Sequence, residues 1–195
     1  MKLLHIDAGI TGPGSVSRQL SAAVADAIGR VHPTVDVVRR DLDADPIPHL
    51  DSRSLGADAG AAVLQEFLEA DVVVIGAPMY NLGLPSQLKA WFDRVVVAGQ
   101  TFRYTADGPQ GLAGGKTVIV ASARGGLYAP GTPQAESDFH EPYLKALFRF
   151  IGIEDVLVLR AEGVAISPES RKAAVDAALD AVPALTAGVA QALAA

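Results

Sequence analysis

Alternating strand-like and helix-like stretches predict an α/β chain whose parallel sheet is covered by helices on both faces. Three observations carry that expectation. Apolar, β-branched runs recur about five times along the chain, and amphipathic helical stretches lie between them. Two of the runs, DVVVIGA at 71–77 and KTVIVAS at 116–122, are apolar nearly throughout, as strands are when both their faces are buried.

The first strand is read at KLLHID, 2–7. After it, Val16, Leu20, Ala23, Val24, Ala27, Ile28 and Val31 recur at spacings of three and four, with Arg18, Asp26 and Arg30 opposite, so a first helix is expected there. TVDVVR at 34–39 reads as strand two. The stretch 40–60, RDLDADPIPHLDSRSLGADAG, is a long polar connection, expected to be a mobile surface loop ahead of a second helix. Strand three, 71–77, precedes a helix marked by Leu88, Trp91, Phe92, Val95 and Val96. Strand four, 116–122, precedes one marked by Leu144, Leu147, Phe148 and Ile151, which Gly152 should end as a C-cap. EDVLVLR at 154–160 is strand five. Ser167 and Pro168 suit the cap and first residue of the last helix, inside which Pro183 predicts a kink or a break. Five strands wound this way suggest the flavodoxin-like order 2-1-3-4-5. Without a repeat, a low-complexity linker or a break in composition, a single domain, 1–195, is expected.

A chain of this size can bury about 70% of the surface its unfolded form exposes, so it needs no staple. The cysteine count is zero, which excludes disulfides, thiolate metal sites and cysteine nucleophiles, and fits a reducing cytoplasm. Any redox chemistry therefore needs a cofactor. MKLLHIDAG meets Asp7 after a very short apolar stretch and reads as a strand, not a signal peptide. No apolar run approaches the roughly 20 residues of a membrane span. The net charge is −6, with basic residues scattered apart from Arg39 and Arg40, which argues against a nucleic-acid partner. His5, His32, His49 and His140 are dispersed and suit core, loop or surface roles better than metal ligation; no metal is expected. Asp93 and Asp107 read as a helix-surface acid and a turn former.

Ligands of such sheets bind beyond the carboxyl ends of the strands, where strand order reverses. Three loops end there. AGITGPGSVSRQL enters helix one, and Ser15 and Ser17 set hydroxyls beside the unpaired amides of its first turn, an anion site; alone, Ser15 serves equally as a plain N-cap. Gly9, Gly12 and Gly14 admit a nicotinamide-dinucleotide reading, but the spacing is not GxGxxG, Pro13 interrupts it, and Asp41 comes too late for the usual fingerprint. In APMYNLGLPSQ, Asn81 offers donor and acceptor to a heterocycle edge, while Pro78, Met79, Tyr80 and Leu82 offer flat or adaptable apolar contact. The plainer alternative is a β-to-α turn loosened by Gly83, with Pro85 starting the helix. ASARGGLYAPG sets Gly125 and Gly126 where backbone amides can approach a ring, and Arg124 adds positive charge or is merely a surface arginine. The convergence of three loops on one crevice favours a flat cofactor with a phosphate tail over three idle turns.

With these motifs in view, the chain resembles the FMN-dependent NAD(P)H azoreductases of the flavodoxin-like quinone reductase superfamily. The likeness runs nearly end to end through PMYNL at 78–82, QLKAWFDRV at 87–95, TFRYTADGPQGL at 101–112, ARGG at 123–126, PYLKALFRFIGI at 142–153 and AEG at 161–163. It implies FMN as bound cofactor and NADH or NADPH as electron donor. It also implies a quinone or azo acceptor, double-displacement kinetics and a homodimer. The family's phosphate-binding positions fall on Ser15, Val16 and Ser17, with Gly9 nearby. Its ring-contacting positions fall on Pro78, Met79, Tyr80, Asn81 and Leu82, and on Ala123, Arg124, Gly125 and Gly126. Tyr104 and Phe150 match aromatic positions bordering the substrate pocket, in part across the dimer interface. No catalytic side chain is assigned. The family often carries serine at the positions of Gly9 and Ala123, glutamine at Val16 and phenylalanine at Leu82; the first three differences remove hydrogen-bonding side chains near the cofactor. The runner-up is a flavodoxin-type electron carrier without substrate turnover, and a flavin-free dinucleotide module is more remote.

Overall fold

The computed structural model describes residues 1–54 and 60–192. In chain order the elements are β1 (Lys2–Asp7), α1 (Val16–Val31), β2 (Asp36–Asp41), α2 (Ala61–Glu69), β3 (Val72–Pro78) and α3 (Ser86–Val95). They continue with the strands β4 (Phe102–Thr105), β5 (Gly108–Gly111) and β6 (Thr117–Ala123), then α4 (Glu141–Phe150), β7 (Val156–Ala161) and α5 (Pro168–Ala192). The main sheet runs β2-β1-β3-β6-β7 with every neighbouring pair parallel, which is the expected order 2-1-3-4-5 once the separate β4–β5 pair is set aside. β2 starts two residues later than expected, because the Val35 N–H turns back to the His32 carbonyl at 3.0 Å and keeps Pro33 and Thr34 in a turn.

Side-chain alternation along the strands divides the core in two. Leu4, Ile6, Val73, Ile75, Val118 and Val120 face one layer with Phe67, Trp91, Phe92 and Phe148 from α2, α3 and α4. Leu3, Val72, Val74, Ile119 and Ala121 face the other, with Leu20, Val24 and Ile28 of α1 and Val175, Ala178 and Val182 of α5. β3 is buried at all seven positions because it lies mid-sheet between both layers. Each buried valine, leucine, isoleucine or phenylalanine contributes about 1.5–3 kcal/mol by leaving water. On the first face the aromatic rings meet edge-on in series, Phe67 on Trp91, Trp91 on Phe92, and Phe92 on Phe148 at 5.2 Å, so α2, α3 and α4 lock to one another.

α4 stops as its glycine predicts: Gly152 takes φ 95°, its N–H bonds to the Arg149 carbonyl, and the Ile153 N–H reaches the Phe148 carbonyl. The β4–β5 hairpin docks on this end, and a side chain at Gly111 would overlap the backbone of Gly152. α5, in contrast, is not broken at Pro183. The Leu179 carbonyl loses its partner there, but Ala178, Val182 and Val189 anchor the helix on either side, and Thr186 Oγ1 lies 3.0 Å from the Val182 carbonyl. Residues 55–59 of the connection expected at 40–60 lie outside the described residues. Its described part is fastened by Leu42, fully buried, and by Arg94, which donates to the carbonyls of Pro48 and His49. No helix among the described residues is long and apolar enough to cross a membrane.

Candidate functional site

β1, β3 and β6 are neighbours in register, Asp7 beside Gly76 and Pro78 beside Ala123, so the loops that leave them emerge side by side. β1 lies between β2 and β3, and the chain winds away from it in both directions; this is the switch point of the sheet. Direct bonds join the three loops. The Ile10 N–H donates to the Tyr80 hydroxyl at 3.1 Å, tying the first loop to the second, and the Met79 N–H donates to the Ala123 carbonyl at 2.8 Å, tying the second to the third.

In the first loop Ser15 caps α1, its Oγ accepting from the Arg18 N–H at 3.4 Å. The amides of Val16 and Ser17, ahead of it in the first turn, find no acceptor among the described residues. Ser17 is fully buried, and among the described residues its hydroxyl meets only that of Ser15, at 3.1 Å. No acid stands in the first turn of this 16-residue helix. The nearby Asp7 carboxylate is turned inward to Ser21, at 2.7 Å, and His5, at 3.4 Å. Two free amides, two buried hydroxyls and a helix dipole therefore face the same point, and a phosphate monoester fits them. The Val16 side chain packs into the core, so this residue offers its backbone alone. A Cβ at Gly9 would overlap Ser15 Oγ: the space for a side chain at position 9 is already held by the Ser15 hydroxyl. Arg18 braces the loop from behind, with Nε on the Gly9 carbonyl at 2.7 Å and both terminal nitrogens on Asp41, whose carboxyl is pulled down to about 2 by the bonds from Arg18.

In the second loop Tyr80 and Gly83 exchange both backbone hydrogen bonds around Asn81 and Leu82, which take φ 48° and 68°. This is a tight two-residue turn with both central residues left-handed. Asn81 tolerates that conformation; Leu82 does so at a cost of about 1–2 kcal/mol. The strain falls on these two residues and not on Gly83, whose φ is negative, so the turn is more constrained than a loose link into the helix. Pro85 does start α3, as its N-cap. Asn81 is exposed, and its amide is left without a protein partner among the described residues. Pro78 is buried, and Met79 and Tyr80 are half-buried. A cleft of about 940 Å³ opens beside the turn, lined by Met79, Tyr80 and Asn81 together with Ile10, His49 and Tyr143. Another, of about 790 Å³, opens at the opposite end of the sheet beside Thr117 and Val156 and lies away from the three loops.

The third loop corrects the expectation for Arg124. Its side chain is neither on the surface nor offered to a ligand: it is fully buried, and its guanidinium is committed to protein carboxylates. Its N–H and carbonyl are taken as well, by Ala161 and Val164. Ala123 is buried at the end of β6. The amides of Gly125 and Gly126, in contrast, find no acceptor among the described residues, while their carbonyls are held by the N–H groups of Ala165 and Gly163. The loop thus carries two amides without an acceptor among the described residues, on a backbone held through its carbonyls.

Tyr104 and Phe150 lie together around Phe102, Phe150 at the end of α4 far from its first turn. Phe102 stacks on both, at ring distances of 5.4 and 4.6 Å, on the hairpin and at the last turn of α4. The first turn of that ten-residue helix adjoins the crevice, where the Phe139 N–H bonds to the Leu82 carbonyl, so Phe150 stands about 15 Å further along. Sequence reading gave no bracing role to Arg18, Asp138, His140, Glu141 or Glu162. Only Glu162 carried a signal, as a lone acid before a glycine just past the last strand.

The chain matches the family described as having a flavodoxin-like fold over residues 1–185. It is 58% identical over 185 residues to FMN-dependent NADH:quinone oxidoreductase 1 of Xanthomonas axonopodis pv. citri (strain 306), with 92% of this chain and 94% of that protein covered. It is 50% identical over 202 residues to FMN-dependent NADH:quinone oxidoreductase of Methylorubrum extorquens (strain PA1), covering 96% of this chain and 100% of that one. Among solved structures it is similar to azoreductase from Bacillus anthracis str. Sterne, at TM-score 0.86 and 30% identity over 95% of this chain and 98% of that one. It is also similar to an FMN-dependent NADH-azoreductase from Bacillus anthracis str. Ames Ancestor in complex with FMN, at TM-score 0.83 and 28% identity over 94% and 98%.

Proposed function

Since this chain belongs to the flavodoxin-like family of FMN-dependent NADH:quinone oxidoreductases and azoreductases, we propose that it takes two electrons from NADH and delivers them through FMN to quinones or azo compounds. The observation that carries this reading is the meeting at one switch point of a helix end with free amides and buried hydroxyls and a glycine loop with two free donors. FMN, when bound, supplies the acceptance and release of hydride.

This chain's own residues bind and orient it. Val16 and Ser17 hold the phosphate through backbone amides, assisted by the hydroxyls of Ser15 and Ser17. Met79, Tyr80 and Leu82 give the ring an apolar bed, and Asn81 presents its amide to the ring edge. Gly125 and Gly126 would donate their free amides to the ring, and such bonds would strengthen if the acceptor became anionic. A single site used by donor and acceptor in turn would make the kinetics double-displacement.

Tyr104 is 75% exposed on the β4–β5 hairpin, an aromatic ring free to roof the flavin of a second copy of the chain, and the protein is read as a homodimer. Sedimentation equilibrium is expected to give twice the chain mass; a single-chain mass at working concentration would remove Tyr104 and Phe150 from the pocket. A cytoplasmic location accords with a chain that carries no cysteine. The test of the activity is anaerobic mixing of FMN-loaded protein with NADH. The flavin absorbance is expected to bleach and to return on adding a quinone; a flavin that stays yellow in excess NADH sinks the reading.

A further inference from the structure

Behind the Gly125–Gly126 loop lies a group of charges that the proposed chemistry does not touch. Arg124, fully buried, sets Nη1 on Glu162 Oε1 at 3.0 Å, and Nη2 in ionic contact with Asp138 Oδ2 at 3.0 Å and with Glu141. Its Nε donates to Ser122 Oγ at 3.2 Å. Two of these acids also hold different stretches of backbone. Asp138 Oδ1 accepts from the N–H groups of His140 and Glu141, capping α4 beside the Phe139–Leu82 bond. Glu162 accepts from the Tyr128 N–H at 2.9 Å, closing the far side of the glycine loop. Glu141 is gripped in turn by Arg160, at 2.8 and 2.5 Å. The two glycines therefore sit between Arg124 and Tyr128, and a single guanidinium joins both ends of that segment to the start of α4 and the end of β7.

We propose that Arg124 is a positioning residue for the flavin site, holding the Gly125 and Gly126 amides on the ring and so setting the preference of the site for reduced over oxidised FMN. The proposal rests on the reading of the crevice given above. A cluster whose only role is to hold the fold would weaken both oxidation states alike. Loss of aim at two amides does not, because a hydrogen bond to an anionic acceptor is about twice as strong as one to a neutral acceptor, and the anion forms only on reduction.

The test uses the full chain with Arg124→Lys, which keeps the charge but not the planar fork that spans three carboxylates, and with Glu162→Gln, a milder isosteric change. Oxidised FMN affinity is measured by fluorescence titration, and the two-electron midpoint potential by equilibration with a reference dye. In Arg124→Lys, reduced FMN is expected to lose at least tenfold more affinity than oxidised FMN, which is a fall of about 30 mV for a two-electron couple. Glu162→Gln should move it a few-fold in the same direction, and decides alone if the lysine variant does not fold. A folded variant with the potential of the unaltered chain, or with equal losses for both oxidation states, overturns the role of Arg124 and leaves the FMN reading intact. If the unaltered chain binds no FMN in the same titration, both fall together.

Discussion

Ser17 concentrates the case for a phosphate in one hydroxyl, since it is fully buried and, among the described residues, has only the Ser15 hydroxyl as a partner. A polar atom so placed costs free energy unless a ligand completes its bonding. Ser17→Ala is therefore expected to weaken FMN by roughly ten- to a hundredfold, the worth of a hydrogen bond to a charged group, while riboflavin, which lacks the phosphate, changes little. Parallel titrations with the two ligands check this; equal losses would take the phosphate away from α1. The positions of Ser15, Ser17 and Asn81 were legible because cap serines and a polar break after an apolar strand leave marks in sequence. The meaning of Gly9 was not. It reads as a missing side chain, yet the Ser15 hydroxyl fills that space, so Gly9 and Ser15 act as a matched pair.

At the scale of elements, the strands that run mid-sheet were the most legible, since burial on both faces leaves a continuous β-branched run at β3 and β6. β2, an edge strand with Asp36, Arg39 and Arg40 among its residues, carried a weaker pattern and was placed two residues early. Gly152 marked the end of α4 because only a left-handed residue closes that cap cheaply. The break that Pro183 allowed did not occur, because a proline's effect on a helix depends on what packs at either side of it, and the contacts of α5 with α1 are long-range. The second loop shows the same limit in reverse. Its turn chemistry points to Gly83, but the left-handed conformation falls on Asn81 and Leu82, where the exchange of backbone bonds between Tyr80 and Gly83 holds it in place.

For the molecule as a whole, proton binding at one buried ring should be visible in stability. His140 is fully buried, and burial, followed by the charge of Arg124, lowers its pKa to about 4, against opposition from Glu141 and Asp138. In the unfolded chain the same ring titrates near 6.5. Between these values the unfolded state binds a proton that the native state refuses, so stability falls as the pH drops from about 6.5 toward 4, by on the order of 3 kcal/mol across the window. Urea unfolding at a series of pH values measures it. His140→Gln is expected to flatten that slope; an unchanged slope would place the proton uptake elsewhere. Little of this was legible beforehand. Strand order and the three-loop crevice follow from local patterns, whereas the burial of His140 and Arg124 depends on acids that meet them only after the chain has wound across the sheet.

The buried guanidinium has a consequence for heredity. Because Arg124 answers to acids on separate stretches of chain, those stretches must pass down as a set. In a chimera of this gene and a homologue that differs at positions 124, 138, 141 or 162, crossovers that divide these positions between the parents should lower the flavin midpoint potential, wherever else the seams fall.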